Sequence, residues 1–236
     1  FSKASSTPQW IRTVDGGDDV FSVAISGTGK YIVAGTDTYY NLNSVYAFER
    51  SSSTPLWGFY IPNNSIPVGS IAISADGLYV VAGSSNEDYG IMFFSMVDAI
   101  LAGSTSLDEF LWSYATDDDV NTVAISADGG YIIASSSEHV YLFDKDSSTP
   151  LWSYLTGDMV YSVSISADGE YIAAGSEDVK VYLFDKDSST PLWIYRSAGV
   201  VRPFAMAAAV SSIAAGSDDD TVSLFDHARS PHPHTD

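Results

Sequence analysis

Five positions in this chain share one set of flanking residues and differ from each other in chemistry. In the phrases "VFSVAIS" (20–26), "VGSIAIS" (68–74), "VNTVAIS" (120–126), "VYSVSIS" (160–166) and "VRPFAMA" (201–207) the second residue is Phe21, Gly69, Asn121, Tyr161 and Arg202 in turn. Two aromatic faces can stack on a sugar or a side chain, while an amide and a guanidinium supply directional hydrogen bonds. Such a mixed set suits one asymmetric ligand or peptide. Asp19, Asp119 and Asp158 stand just ahead of these phrases. They would favour a ligand carrying hydroxyls or positive charge. Phe21, Asn121, Tyr161, Arg202, Asp19, Asp119 and Asp158 are therefore the candidate ligand-binding residues.

Other chemistry is sparse. The inner phrases contain no acid, and no Gly-x-Ser-x-Gly, His-Glu-x-x-His or phosphate loop occurs. No catalytic residue is assigned and no enzyme is expected. With no cysteine there are no disulfides and no thiolate metal sites. "TDDDV" (116–120) and "SDDDT" (217–221) lack the spaced ligands of a dedicated calcium loop, so no cofactor is expected and calcium is only a weak candidate. His139 is a lone loop histidine. His232 and His234 sit in the tail "HARSPHPHTD" (227–236), which is expected to be a disordered tail or vector-derived scar.

The formal charge of −20, thirty acidic residues against ten basic ones, argues against nucleic acid and anionic lipid, because no basic surface is available to release counterions. A cation, a basic protein or a neutral glycan is compatible. Acidity on this scale suits an exported or salt-adapted protein, which favours an extracellular or cell-surface setting. No apolar run reaches eighteen residues, so no spanning helix is expected. The chain opens at "FSKASS" without Met, as a mature or trimmed form would.

The elements that must position the variable residues come from a repeat. Trp10, Trp57, Trp112, Trp152 and Trp193 lie 47, 55, 40 and 41 residues apart, four of them ending phrases such as "SSTPLW". Each is followed by an inner phrase, a turn such as "ADG", a second run such as "YIAAG" and a third such as "VYLF". Four short β-patterned runs with Asp-Gly hairpin signals at this period predict an all-β, five-bladed β-propeller of four-stranded antiparallel blades. The inner phrases form the innermost strands and the tryptophans start the outermost. The chain starts with an outermost strand, around Pro8–Val14, and ends with a third strand at 221–226. The N-terminal strand is thus expected to complete the last blade and close the ring, giving one domain over 1–226 and a monomer. The tryptophans are expected to be structural, packing each blade on its neighbour.

Two families share these phrases. "VYSVSISADGEYIAAGSEDVKVYLFD" (160–185) resembles a WD repeat, and "VYLFDKDSSTPLWSY" (140–154) resembles the tryptophan-docking repeat of quinoprotein-like propellers. The resemblance spans 8–226 and implies a propeller, with little implied about activity. Phe-Asp stands where WD repeats carry Trp-Asp, at Phe143–Asp144, Phe184–Asp185 and Phe225–Asp226, and no Gly-His precedes the inner strand. Five units without cysteine do not support a quinone cofactor.

Inner strands start at one face, here the top, which also carries the loops from second to third strand. More than half of the acidic residues fall there by this phase, while Lys3, Lys30, Arg50, Lys145 and Lys186 fall at the bottom. The expectation is a non-enzymatic binding module that takes a protein, peptide or glycan on an acidic top face. The alternative is a five-bladed glycoside hydrolase or a lectin-like sugar binder. "SMVDAILAGSTSLDEF" (95–110) and the Tyr39–Tyr40 loop break the period, and "MVDAILAG" suits a short helix. "MAAAVSS" replaces "ISADGEY" in the fifth copy.

Overall fold

The computed structural model describes residues 7–14, 19–37, 44–61, 67–85, 88–102, 110–206 and 212–226. Asp15, Asp18, Glu87, the Tyr39–Tyr40 loop, most of "MAAAVSS" and the tail lie outside the described residues.

Five antiparallel sheets follow each other along the chain, as the repeat predicts. Blade 1 holds β1 (Val20–Ile25), β2 (Tyr31–Thr36), β3 (Val45–Glu49) and β4 (Pro55–Phe59). Blade 2 holds β5 (Val68–Ile73), β6 (Tyr79–Ser84), β7 (Ile91–Ser95) and β8 (Phe110–Tyr114), with α1 (Met96–Ala102) between the last two. Blade 3 holds β9 (Val120–Ile125), β10 (Tyr131–Ser136), β11 (His139–Asp144) and β12 (Trp152–Leu155). Blade 4 holds β13 (Val160–Ile165), β14 (Tyr171–Ser176), β15 (Lys180–Asp185) and β16 (Trp193–Arg196). Blade 5 has three strands, β17 (Val201–Met206), β18 (Ile213–Ser217) and β19 (Val222–Phe225). The inner strands pack in the order β1, β5, β9, β13, β17. The fold is a five-bladed β-propeller.

Each joint between blades is built from the same parts. The tryptophan of one blade packs on the phenylalanine of the next third strand: Trp57 on Phe94, Trp112 on Phe143, Trp152 on Phe184 and Trp193 on Phe225, with ring centroids 5.2–5.6 Å apart. The indole N–H of Trp112 donates to the Lys145 carbonyl at 2.8 Å, and that of Trp152 to the Lys186 carbonyl at 2.8 Å. In blade 2 the insertion alters this joint. α1 is capped by Ser95, whose hydroxyl accepts the Asp98 N–H, and it brings the Met96 sulfur to 3.2 Å from the Trp57 indole nitrogen.

A second part of the joint explains the recurrent Asp-Gly. Ser74, Ser126 and Ser166 each donate to the aspartate two residues on, and the same aspartate accepts the N–H two residues further. Gly77, Gly129 and Gly169 then take φ of 77°, 74° and 76°, a left-handed backbone that disfavours any side chain. They also face the tyrosine that opens the second strand of the preceding blade. A Cβ at Gly77, Gly129 or Gly169 would lie 2.6, 2.4 or 2.5 Å from a ring carbon of Tyr31, Tyr79 or Tyr131. Beside each turn the chains are stitched: Gly27 N–H to Ala75 carbonyl, Ala75 to Ala127 and Ala127 to Ala167, all 2.9 Å.

The expected closure of the ring by the N-terminal strand is not seen. Residues 8–14 form no strand, and among the described residues β17 does not pack on β1 as the other inner neighbours pack on each other. Trp10 nevertheless packs on Phe48 at 5.5 Å and donates to the Arg50 carbonyl at 2.9 Å, the slot on the following blade that the later tryptophans fill. The N-terminal segment is thus held at blade 1 without forming a strand beside β19 among the described residues. Val23 is left 67% exposed, and Val222 and Leu224 are 82% and 74% exposed, whereas their counterparts in the other blades are buried.

Candidate functional site

The variable position of the repeat has a structural definition. In blade 1 Val20 pairs with Thr36 and Ser22 with Gly35, so Phe21 is an extra residue opposite two consecutive partners. The same shift isolates Gly69, Asn121 and Tyr161, and in blade 5 the slip falls between Val201 and Phe204, around Arg202. Each variable residue is a β-bulge at the top of an inner strand. A bulged residue is excused from the ladder and its side chain is re-aimed, so its identity is free to change without cost to pairing.

Two of the five are brought together. The Arg202 guanidinium lies over the Tyr161 ring, 4.5 Å from its centroid, across the joint between blades 4 and 5. Each is held from its own hairpin. The Tyr161 hydroxyl donates to Glu177 at 2.9 Å, and Arg202 Nε donates to Asp218 at 3.1 Å. The hydrogen bond to Glu177, with desolvation and the Glu177 charge, pushes the tyrosine hydroxyl up from its usual pKa against the opposing pull of Arg202. Asn121 is committed structurally, its Nδ2 donating to the Val160 carbonyl at 3.2 Å and tying blade 3 to blade 4. Phe21 is exposed on β1, away from any packed contact with β17. At Gly69 the space is open.

Glu177 and Asp218 belong to the site although they are absent from the candidate set above. The available signal was spacing. Both stand 16 residues after the bulge they hold. The same step from Phe21 reaches Asp37, which instead accepts the Asp19 N–H at 2.8 Å.

Apart from Glu177 and Asp218, two groups of acids differ in what holds them. Asp37, Asp178 and Asp219 turn inward and accept backbone N–H groups from the segment entering their own blade, at Asp19, Gly157 and Ala198. Asp178 is held most firmly. Burial alone would raise its pKa, but the Tyr182 hydroxyl, the Lys180 ammonium at 2.9 Å and the Gly157 N–H hold it below the usual carboxylate value. Asp117, Asp118, Asp119 and Asp158 are exposed, and among the described residues none of them is in an ion pair. The entry loops carrying them are fixed from below, Thr116 and Ser136 donating to the Asp118 carbonyl, and Thr156 and Ser176 to the Asp158 carbonyl. Asp158 thus matches Asp118, one step further from the strand than Asp19 and Asp119, so the three candidate acids do not form one ring.

No group of three or more His, Cys, Asp or Glu side chains among the described residues is placed to hold a metal ion. The bottom end of the pore is an open depression lined by Ile25, Ile73, Ile125 and Ile165 with Gly27, Ala75, Ala127 and Ala167.

With this geometry in place, the comparison with known families is informative. Residues 109–144 and 149–185 match the WD domain, G-beta repeat family. Each match takes one outer strand with the three inner strands of the next blade, β8 with β9–β11 and β12 with β13–β15. The chain is a WD-repeat-like β-propeller. No curated protein sequence matches it. Propellers of WD repeats are typically scaffolds that bind proteins, and the two matched repeats support an interaction module here. No helix among the described residues is long and apolar enough to cross a membrane.

Proposed function

We propose that the top face of this propeller binds a basic segment of a partner protein, without catalysis. The observation that carries this reading is the contrast among the acids. Asp37, Asp178 and Asp219 are spent on backbone N–H groups, whereas Asp117, Asp118, Asp119 and Asp158 stand exposed on the entry loops of blades 3 and 4 with no cation on them among the described residues. Carboxylates clustered on rigid entry loops attract and orient Lys and Arg side chains. The bulge residues then choose among basic segments by shape. Arg202 already occupies one face of Tyr161, which favours a peptide over a stacked sugar. Glycoside hydrolysis needs two carboxyl groups facing each other across the scissile bond, and the described inner-strand side chains and the isoleucine-lined pore end offer none.

The test is fluorescence anisotropy with a labelled Lys/Arg-rich peptide, a Glu-rich peptide and neutral oligosaccharides. The basic peptide should bind, weaken with salt, and lose at least about tenfold in affinity, roughly 1.4 kcal/mol, in the D117N/D118N/D119N variant. Equal binding by that variant, or preference for the acidic or neutral probes, would overturn the proposal.

A further inference from the structure

At the top of the joint between blades 4 and 5 the chain holds one of its own guanidinium groups. Arg202 lies over the Tyr161 ring at 4.5 Å and donates from Nε to Asp218 at 3.1 Å, while the Tyr161 hydroxyl donates to Glu177 at 2.9 Å. The cation thus rests on an aromatic face with a carboxylate at its edge, and a second carboxylate stands beside the cation itself. These walls are fixed. The Glu177 N–H donates to the Met159 carbonyl at 2.8 Å and the Asp218 N–H to the Val200 carbonyl at 2.9 Å. Each hairpin acid is therefore tied to the segment that enters its own blade.

The cation is the loose part. In blade 4 the ion pair of the corresponding hairpin joins Lys180 to Asp178, whose side chain is only 8% exposed and also accepts from the Tyr182 hydroxyl and the Gly157 N–H. Arg202 and Asp218, by contrast, have side chains 48% and 51% exposed. A cation–π contact and an ion pair at such exposure are each weak. Arg202 can leave, and Tyr161, Glu177 and Asp218 then remain as a preformed recess with the chemistry that held it.

We propose that Tyr161, Glu177 and Asp218 form a subsite for one arginine side chain of the partner segment, and that Arg202 is its resident occupant, displaced when the partner binds. This rests on the reading of the top face as a site for basic segments. The chemistry selects arginine over lysine. A guanidinium is planar, so it stacks on the ring and donates from its edge at the same time, whereas an ammonium is a compact and strongly hydrated charge. Arg202 also sets the threshold for binding, because a ligand meets the subsite only for the fraction of time that it is open. Removing Arg202 should therefore strengthen binding. A residue that contacted the ligand, or one that merely held the joint, would have the opposite effect.

The experiment is fluorescence anisotropy with two labelled peptides of equal length and charge, one rich in arginine and one rich in lysine. The proteins are wild type, R202A, R202Q, R196A and the double variant R202A/Y161L. Arg196 is exposed on β16, so R196A removes the same charge outside the subsite. R202A should bind the arginine peptide at least about threefold more tightly than R196A does, the worth of an exposed cation–π contact. It should bind the lysine peptide no better than R196A does. R202Q keeps an amide donor for Asp218 and should reproduce the gain, which guards against a fold defect in R202A. Adding Y161L should abolish it. If wild type binds but R202A and R202Q take the arginine peptide no better than R196A, the subsite is overturned and the top-face reading stands. No binding of either peptide by wild type or any variant would overturn both. Equal gains for the two peptides would reduce Arg202 to a charge and overturn the choice of arginine.

Discussion

Gly129 and Gly29 take nearly the same backbone, φ of 74° and 69°, yet among the described residues only Gly129 has a tyrosine against it. G29A should therefore lose only the cost of an L-residue in the left-handed region, about 1–2 kcal/mol. G129A should lose that and more, because the Tyr79 ring must move. Urea unfolding of both variants measures the joint directly, and equal losses would show that the ring adds nothing. Asp178 gives a second test at this scale. Its folded pKa lies below the usual value, so its carboxylate stabilises the native state above the unfolded pKa of about 3.9. That contribution is lost as pH falls through the lower folded pKa. D178N should melt below wild type at neutral pH, and the gap should narrow toward pH 3 and below. A gap that is independent of pH would assign the loss to packing instead.

At the scale of elements, the tryptophans test the joints. Trp152 packs on Phe184 and donates to Lys186, so Trp152→Ala should cost about 3–5 kcal/mol in chemical denaturation. A loss below about 1 kcal/mol would remove it from the joint. These elements were readable in the sequence because a repeat prints the same contact several times: Trp with Phe, Tyr with Gly, Ser with Asp. The bulges were readable only as variable positions, since a register slip leaves no residue signature of its own. The pairing of Tyr161 with Arg202 was not readable, because it depends on how blade 5 sits against blade 4. The N-terminal segment was readable in part. Its phase gives the tryptophan slot that Trp10 fills on Phe48, but a single tryptophan does not oblige residues 8–14 to pair as a strand.

For the whole molecule, a formal charge of −20 makes self-repulsion a term in stability. Screening length falls from about 30 Å at 0.01 M salt to about 3 Å at 1 M. The melting temperature should therefore climb with NaCl. Calcium chloride at matched ionic strength should give the same curve, since the described acids form no group arranged for a metal. A clear excess from calcium would show that a site assembles.

The binding proposal is tested most directly by amide hydrogen exchange across the chain, with and without a saturating Lys/Arg-rich peptide. Slowing should concentrate at the top, over the entry loops 115–121 and 156–161 and the hairpin turns 176–180 and 217–221. The bottom turns 74–79, 126–131 and 166–171 should be unchanged. Protection confined to those bottom turns, or protection nowhere, would contradict it.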